Sequence, residues 1–205
     1  MQLLHFGLFL GIYLAALLGN GLILTAVAFD HRLHTPMYFF LLNLALLNLG
    51  CISTTLPKAM ANALWDTRAI SYQGCSVQVF FFLFFIAAEY SVLTLMSYDC
   101  YAAICKPLHY GSLVGSRACA QMAAAAWGSG FLNAVLHTAT TFSLPLSKPP
   151  SISSPSLDLV VAVLYSVVPA AMNPPIYSMR NKELKDALRK LFGYIYSSLI
   201  IGAKS

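Results

Sequence analysis

The residues equipped for chemistry fall into two sets. One is the triplet Asp99, Cys100 and Tyr101 inside 96-MSYDCYAAICKPLHY-110, where an acid, two thiols and a lysine follow a long apolar run. The other is a set of lone polar side chains embedded in apolar runs: Asn20, Asn43, Asn48, Glu89 and Asn173. Neither set has the composition of a catalytic or metal centre. Cys100 and Cys105 stand five apart with no histidine pair to complete a tetrahedral site, and His31 and His34 have no carboxylate beside them. There is no glycine-rich phosphate loop and no nucleophile elbow. The chemistry on offer is hydrogen bonding and the placement of charge, so neither an enzyme nor a cofactor is expected.

The elements that must carry these groups follow from composition. Of 205 residues, 59% are hydrophobic and 9% charged, against about 25% charged in a soluble domain. That places the chain among integral membrane proteins and leaves no basic soluble domain for nucleic acid. A bilayer core about 30 Å thick needs about 20 apolar residues of helix. Five runs qualify: residues 6–29, 37–56, 76–98 (interrupted only by Glu89), 118–142 and 159–179. The first lacks a basic leader and a small-residue cleavage site, and reads as a retained span.

Five spans put the two ends on opposite sides. With the N-terminus outside, Arg32, Lys106, Arg117, Arg180, Lys182, Lys185, Arg189, Lys190 and Lys204 lie inside, and only Lys58, Arg68 and Lys148 lie outside. The positive-inside rule selects that orientation. The stretch 145-PLSKPPSISSPS-156 cannot continue a helix and reads as a loop. Residues 181–192 place Leu184, Leu188, Leu191 and Phe192 at helical spacing with basic residues between them, the pattern of a short helix on the inner leaflet.

Polar groups inside a span are costly, so they mark candidate sites. A carboxylate at mid-bilayer costs about 2.5–3.5 kcal/mol on the insertion scale, and Glu89 is expected to face other helices. Asn20, Asn48 and Asn173 are the candidate partners, and the competing role for all of them is interhelical bonding worth about 0.6 kcal/mol each. Pro169, Pro174 and Pro175 break the last span near its inner end, where a helix can bend.

Four blocks, 34-HTPMYFFLLNLALLN-48, 57-PKAM-60, 96-MSYDCYAAICKPLHY-110 and 173-NPPIYSMRNKELKDAL-188, together resemble the vertebrate olfactory receptors, which are rhodopsin-like G-protein-coupled receptors. The resemblance implies an all-α membrane bundle. It also implies a gap, because the chain passes from the fourth span into what resembles the loop before the family's seventh, without the fifth and sixth. By the same resemblance, Asp99, Cys100 and Tyr101 stand where the family has Asp-Arg-Tyr, whose arginine engages the G protein. Asn173 and Tyr177 match the seventh-span switch motif. Asn20, Asn48 and Glu89 match a polar cluster, with Asn48 where an acid is usual. Cys75 matches a cysteine whose disulfide partner lies in the missing outer loop. Phe82 and Ile86 match the third-span wall of the odorant pocket.

The function so implied is an odorant receptor of the plasma membrane, taking a small volatile ligand outside and a stimulatory olfactory G protein inside. The alternative is a non-signalling receptor product, retained in the endoplasmic reticulum or associated with intact receptors. Half the pocket, the sixth span and the triplet arginine are missing, and each is an argument for the alternative.

Overall fold

A computed structural model describes residues 2–30, 33–65, 72–143, 173 and 182–202. The expected last span, the proline-rich loop before it and Tyr177 lie outside the described residues, apart from Asn173. The described elements are α1 (Gln2–Phe29), α2 (Pro36–Trp65), α3 (Tyr72–Cys105), a 3-10 turn (Pro107–His109), the single turn α4 (Tyr110–Leu113), α5 (Ser116–Ser143) and α6 (Lys182–Gly202). No strand occurs among the described residues. Among the described residues the fold is an all-α bundle.

Three of these helices are long and apolar enough to cross a bilayer: Phe6–Phe29, Pro36–Ala61 and Gln73–Cys105. α5 is long enough at 28 residues but less apolar. Its buried face explains why. Cys119, Ala123, Ala126, Gly130 and Ala134 recur every three or four residues and form a smooth stripe against α3. A β-carbon on Gly130 would sit 2.9 Å from the Ala88 β-carbon and 3.0 Å from the Phe84 carbonyl oxygen. Small residues here give up hydropathy and gain close backbone approach, the usual economy of membrane helix packing.

The second expected span ends at residue 56, but α2 continues through Pro57 to Trp65. A proline inside a helix removes a donor and crowds the carbonyl four residues back. Leu56 and Ala59, on either side of Pro57, are buried in the cluster with α1, so packing holds the helix through the proline. The helix therefore carries Lys58 two residues beyond the apolar run. α3 does stop where Pro107 dictates, with Lys106 leading into the 3-10 turn.

α1 packs on α2, α2 on α3 and α3 on α5 in sequence. A core of Leu33, Tyr38, Phe40, Leu44, Leu47 and Val92 is closed by Leu184 and Ala187 of α6. A second cluster around Phe9, Ala16, Ile52 and Leu56 holds the other end of the α1–α2 pair. α6 is attached through its first turns: Leu184 is fully buried, and the Tyr38 hydroxyl donates to Glu183 at 3.1 Å. It runs ten residues past the expected end at 192, and Tyr194, Ile195 and Tyr196 are exposed on that extension.

Candidate functional site

The lone polar side chains of the spans meet in pairs. Asn48 of α2 donates its Nδ2 to Asn20 Oδ1 of α1 at 3.1 Å, while Asn20 Nδ2 returns to the Ala16 carbonyl at 2.8 Å. Both residues are buried, and Asn48 Oδ1 has no hydrogen-bond partner among the described residues. Glu89 of α3 is also buried and accepts from Asn173 Nδ2 at 3.0 Å, across 84 positions of sequence. Each pair joins two segments of chain within the apolar interior. An amide dipole aimed at a carboxylate is how a bundle tolerates such a group in low dielectric.

Phe82 and Ile86 are half-buried on α3. They precede Glu89 by seven and three positions and so share its face, roughly 10 and 5 Å away along the axis. A cavity of about 590 Å³ opens elsewhere, at the end of the bundle that carries Asp99, between Val27, Leu33, Phe39, Tyr110 and Cys119. It does not touch Phe82 or Ile86, so it is not the space to which the resemblance assigns the odorant.

The Asp99 triplet divides. Asp99 is buried and accepts from the Tyr110 hydroxyl at 2.8 Å, which ties the end of α3 to α4. Cys100 and Tyr101 are exposed, and Tyr101 packs its ring beside Tyr98 with centroids 6.3 Å apart. Cys75, at the opposite end of α3, is half-exposed and free. Sequence reasoning missed Tyr110. Only a helix that stops at Cys105 and turns back at Pro107 brings it to Asp99. It also missed the Trp127 Nε1 bond to Asn43 Oδ1 at 3.0 Å, which anchors α5 to α2 beside the rings of Phe84 and Phe131.

Tyr110 lies outside the membrane-crossing segments. Its phenol is pushed above the ordinary tyrosine range, first by burial and then by the hydrogen bond to Asp99 and its charge. A raised folded-state value means that the phenol's contribution is fully present below the ordinary tyrosine value of about 10 and fades as pH rises through the folded value. Tyr110→Phe is expected to cost roughly 1–3 kcal/mol, because the buried Asp99 loses its donor. Thermal melts of the two proteins in detergent at neutral pH measure the difference, and equal midpoints would show that the bond contributes nothing.

Residues 19–152 match the family described as 7 transmembrane receptor (rhodopsin family). The chain is similar to the human protein "Olfactory receptor 14I1", at 36% identity over 287 aligned positions covering 96% of this chain and 92% of that one. It is similar to human "Olfactory receptor 14J1" at 33% identity over 282 positions, covering 93% and 88%. To human "Olfactory receptor 14A16" it is 52% identical over 144 residues, covering 70% and 47%. The alignment to 14I1 is 82 positions longer than the 205 residues of the chain, so at least that many of its positions have no counterpart here.

Proposed function

The chain belongs to the rhodopsin family of seven-transmembrane receptors and, within it, to the olfactory receptors, and from that premise we propose that it is an odorant-receptor bundle that keeps the family's polar frame and lacks the coupling step when it acts alone. The observation that carries this reading is at the Asp99 end. A receptor of this kind engages a G protein through a cation at the position after the triplet's acid, and the exposed residue in that place is Cys100, which brings no cation. The positions without counterpart, at least 82 of them, support the same conclusion, because they fit the absence of the fifth and sixth spans.

The membrane topology belongs to the same reading: N-terminus outside, C-terminus cytoplasmic, with α6 along the inner leaflet. Nine of the twelve Lys and Arg residues then face the cytoplasm. The ligand is a small volatile odorant held against Phe82 and Ile86, above the Glu89–Asn173 bond. Binding there would bias a two-state bundle through Asn173 and Tyr177, without any covalent step. With no arginine after Asp99 and no sixth span to move, the bias has no output of its own. The exposed remnants of the bundle then favour retention in the endoplasmic reticulum or association with other chains. The test is a cyclic AMP assay in cells carrying the stimulatory olfactory G protein. The chain alone stays at baseline across an odorant panel, and a dose-dependent rise overturns the reading in favour of a signalling receptor.

A further inference from the structure

The cavity of about 590 Å³ is enclosed by the ends of four elements: the last turn of α1, the first turns of α2 and α5, and α4. Volumes of about 300–1,000 Å³ are those of small-ligand sites. Its walls are apolar. Val27, Leu33 and Val114 are buried there, and Phe39 and Leu42 extend the lining. Two polar side chains in the wall are already engaged within the chain. The Tyr110 hydroxyl donates to Asp99 at 2.8 Å, and the Cys119 thiol donates to the Val114 carbonyl at 3.5 Å. What the interior offers a ligand is hydrocarbon contact.

The mouth is different. His34, Thr35 and Ser116 line the cavity and are exposed. Thr35 precedes the first residue of α2, and Ser116 is the first residue of α5, so two helix N-termini border one opening. The first amides of a helix have no partner inside it and carry the positive end of its dipole. Arg117, exposed beside Ser116, adds a cation. No acid lines the cavity among the described residues: Asp30 lies past the end of α1, and Asp99 is held by Tyr110. An electropositive mouth over an apolar interior matches a ligand with an anionic head and a hydrocarbon body.

We propose that this cavity binds a single-chain anionic amphiphile, a long-chain carboxylate, with its chain against Val27, Phe39 and Leu42 and its head between the first turns of α2 and α5. A diacyl phospholipid carries a comparable head on two chains, for which the cavity is too small. The bound chain lies beside the Tyr110 ring and so braces the bond that ties α4 to Asp99. The inference goes beyond the receptor reading and requires neither an odorant nor a G protein.

The test uses the full chain in phosphatidylcholine nanodiscs, which admit added ligand from both faces, at mildly alkaline pH. The probe is stearate carrying a nitroxide near its methyl end. A saturable immobilised component in its spin-resonance spectrum is expected, beyond that from boundary lipid, and unlabelled oleate displaces it. Oleyl alcohol, which keeps the chain and lacks the charge, is expected to compete roughly tenfold more weakly. Ala28→Trp fills the cavity from an exposed position on α1 and is expected to abolish the component, whereas Leu14→Trp, at an exposed position outside the cavity, leaves it unchanged. Arg117→Gln is the second variant if Ala28→Trp does not fold, and it is expected to weaken oleate several-fold and leave oleyl alcohol unaffected. Absence of the component, or its survival in Ala28→Trp, would overturn the site. Equal competition by oleate and oleyl alcohol, or an unchanged oleate affinity in Arg117→Gln, would overturn the anionic head. Displacement by phosphatidic acid at the concentrations that serve for oleate would overturn the choice of a single chain. None of these results alters the cyclic AMP prediction, so the two readings fail separately.

Discussion

Replacing Cys100 by arginine is expected to leave cyclic AMP at baseline. The substitution restores the cation that the family's triplet supplies, and Cys100 is exposed, so a guanidinium fits there without disturbing the core. Asp99 is the natural partner for that cation, yet it is already buried and held by the Tyr110 hydroxyl at 2.8 Å. An arginine at position 100 would compete for this carboxylate or extend into water, where a single exposed ion pair is worth at most about 1 kcal/mol. Switching requires a second arrangement of the bundle that the cation stabilises. The segment that would provide it is among the positions with no counterpart here. The measurement is cyclic AMP in cells expressing Cys100→Arg with the olfactory G protein. A response to any odorant would place the defect in the triplet alone.

Gly130→Leu is expected to have the largest effect on stability. A β-carbon at that position already meets the Ala88 β-carbon at 2.9 Å and the Phe84 carbonyl oxygen at 3.0 Å. The first of these obstacles is a side chain that can be cut back, and the second is backbone that cannot move without bending α3. Overpacking of this kind costs about 1–3 kcal/mol, and more where the backbone must shift. The same shift would strain the Trp127 bond to Asn43 and part the rings of Phe84 and Phe131. Thermal unfolding in detergent should fall by several degrees for leucine and by less for alanine. Combining Gly130→Ala with Ala88→Gly should recover part of the loss, because it removes the side-chain obstacle and leaves the carbonyl. An unchanged midpoint for Gly130→Leu would mean that the helices do not approach as closely as described.

How far the sequence was legible depended on the range of the interaction concerned. Apolar runs stand out because bilayer thickness and helical rise set their length, although the run at 159–179 lies outside the described residues, and Pro107 ended α3 because a proline leaves little choice. Pro57 misled because Leu56 and Ala59, on either side of it, pack against α1 and hold the helix through it. α6 runs past 192 because nothing in 193-GYIYSSLIIG-202 stops a helix once its first turns are docked through Leu184 and Ala187.

The polar side chains were visible one at a time, since each stands out in an apolar run. Their pairing was not. Glu89 with Asn173, and Asn20 with Asn48, are matters of which helix faces which, and four candidates allow several pairings. Gly130 and Tyr110 carried no signal. A glycine among alanines and a tyrosine in a short turn look ordinary until the helix opposite is in place.

The central claim is that this bundle keeps the receptor's polar frame and lacks the part that turns binding into a signal. The most direct test inserts, between Leu146 and Ser147, the stretch of human "Olfactory receptor 14I1" that has no counterpart here, with and without Cys100→Arg, and reads cyclic AMP against an odorant panel. A dose-dependent rise from the insertion combined with Cys100→Arg, and from neither change alone, is the predicted result. A rise from the unmodified chain, or silence from the combined variant once it has reached the plasma membrane, would contradict the claim.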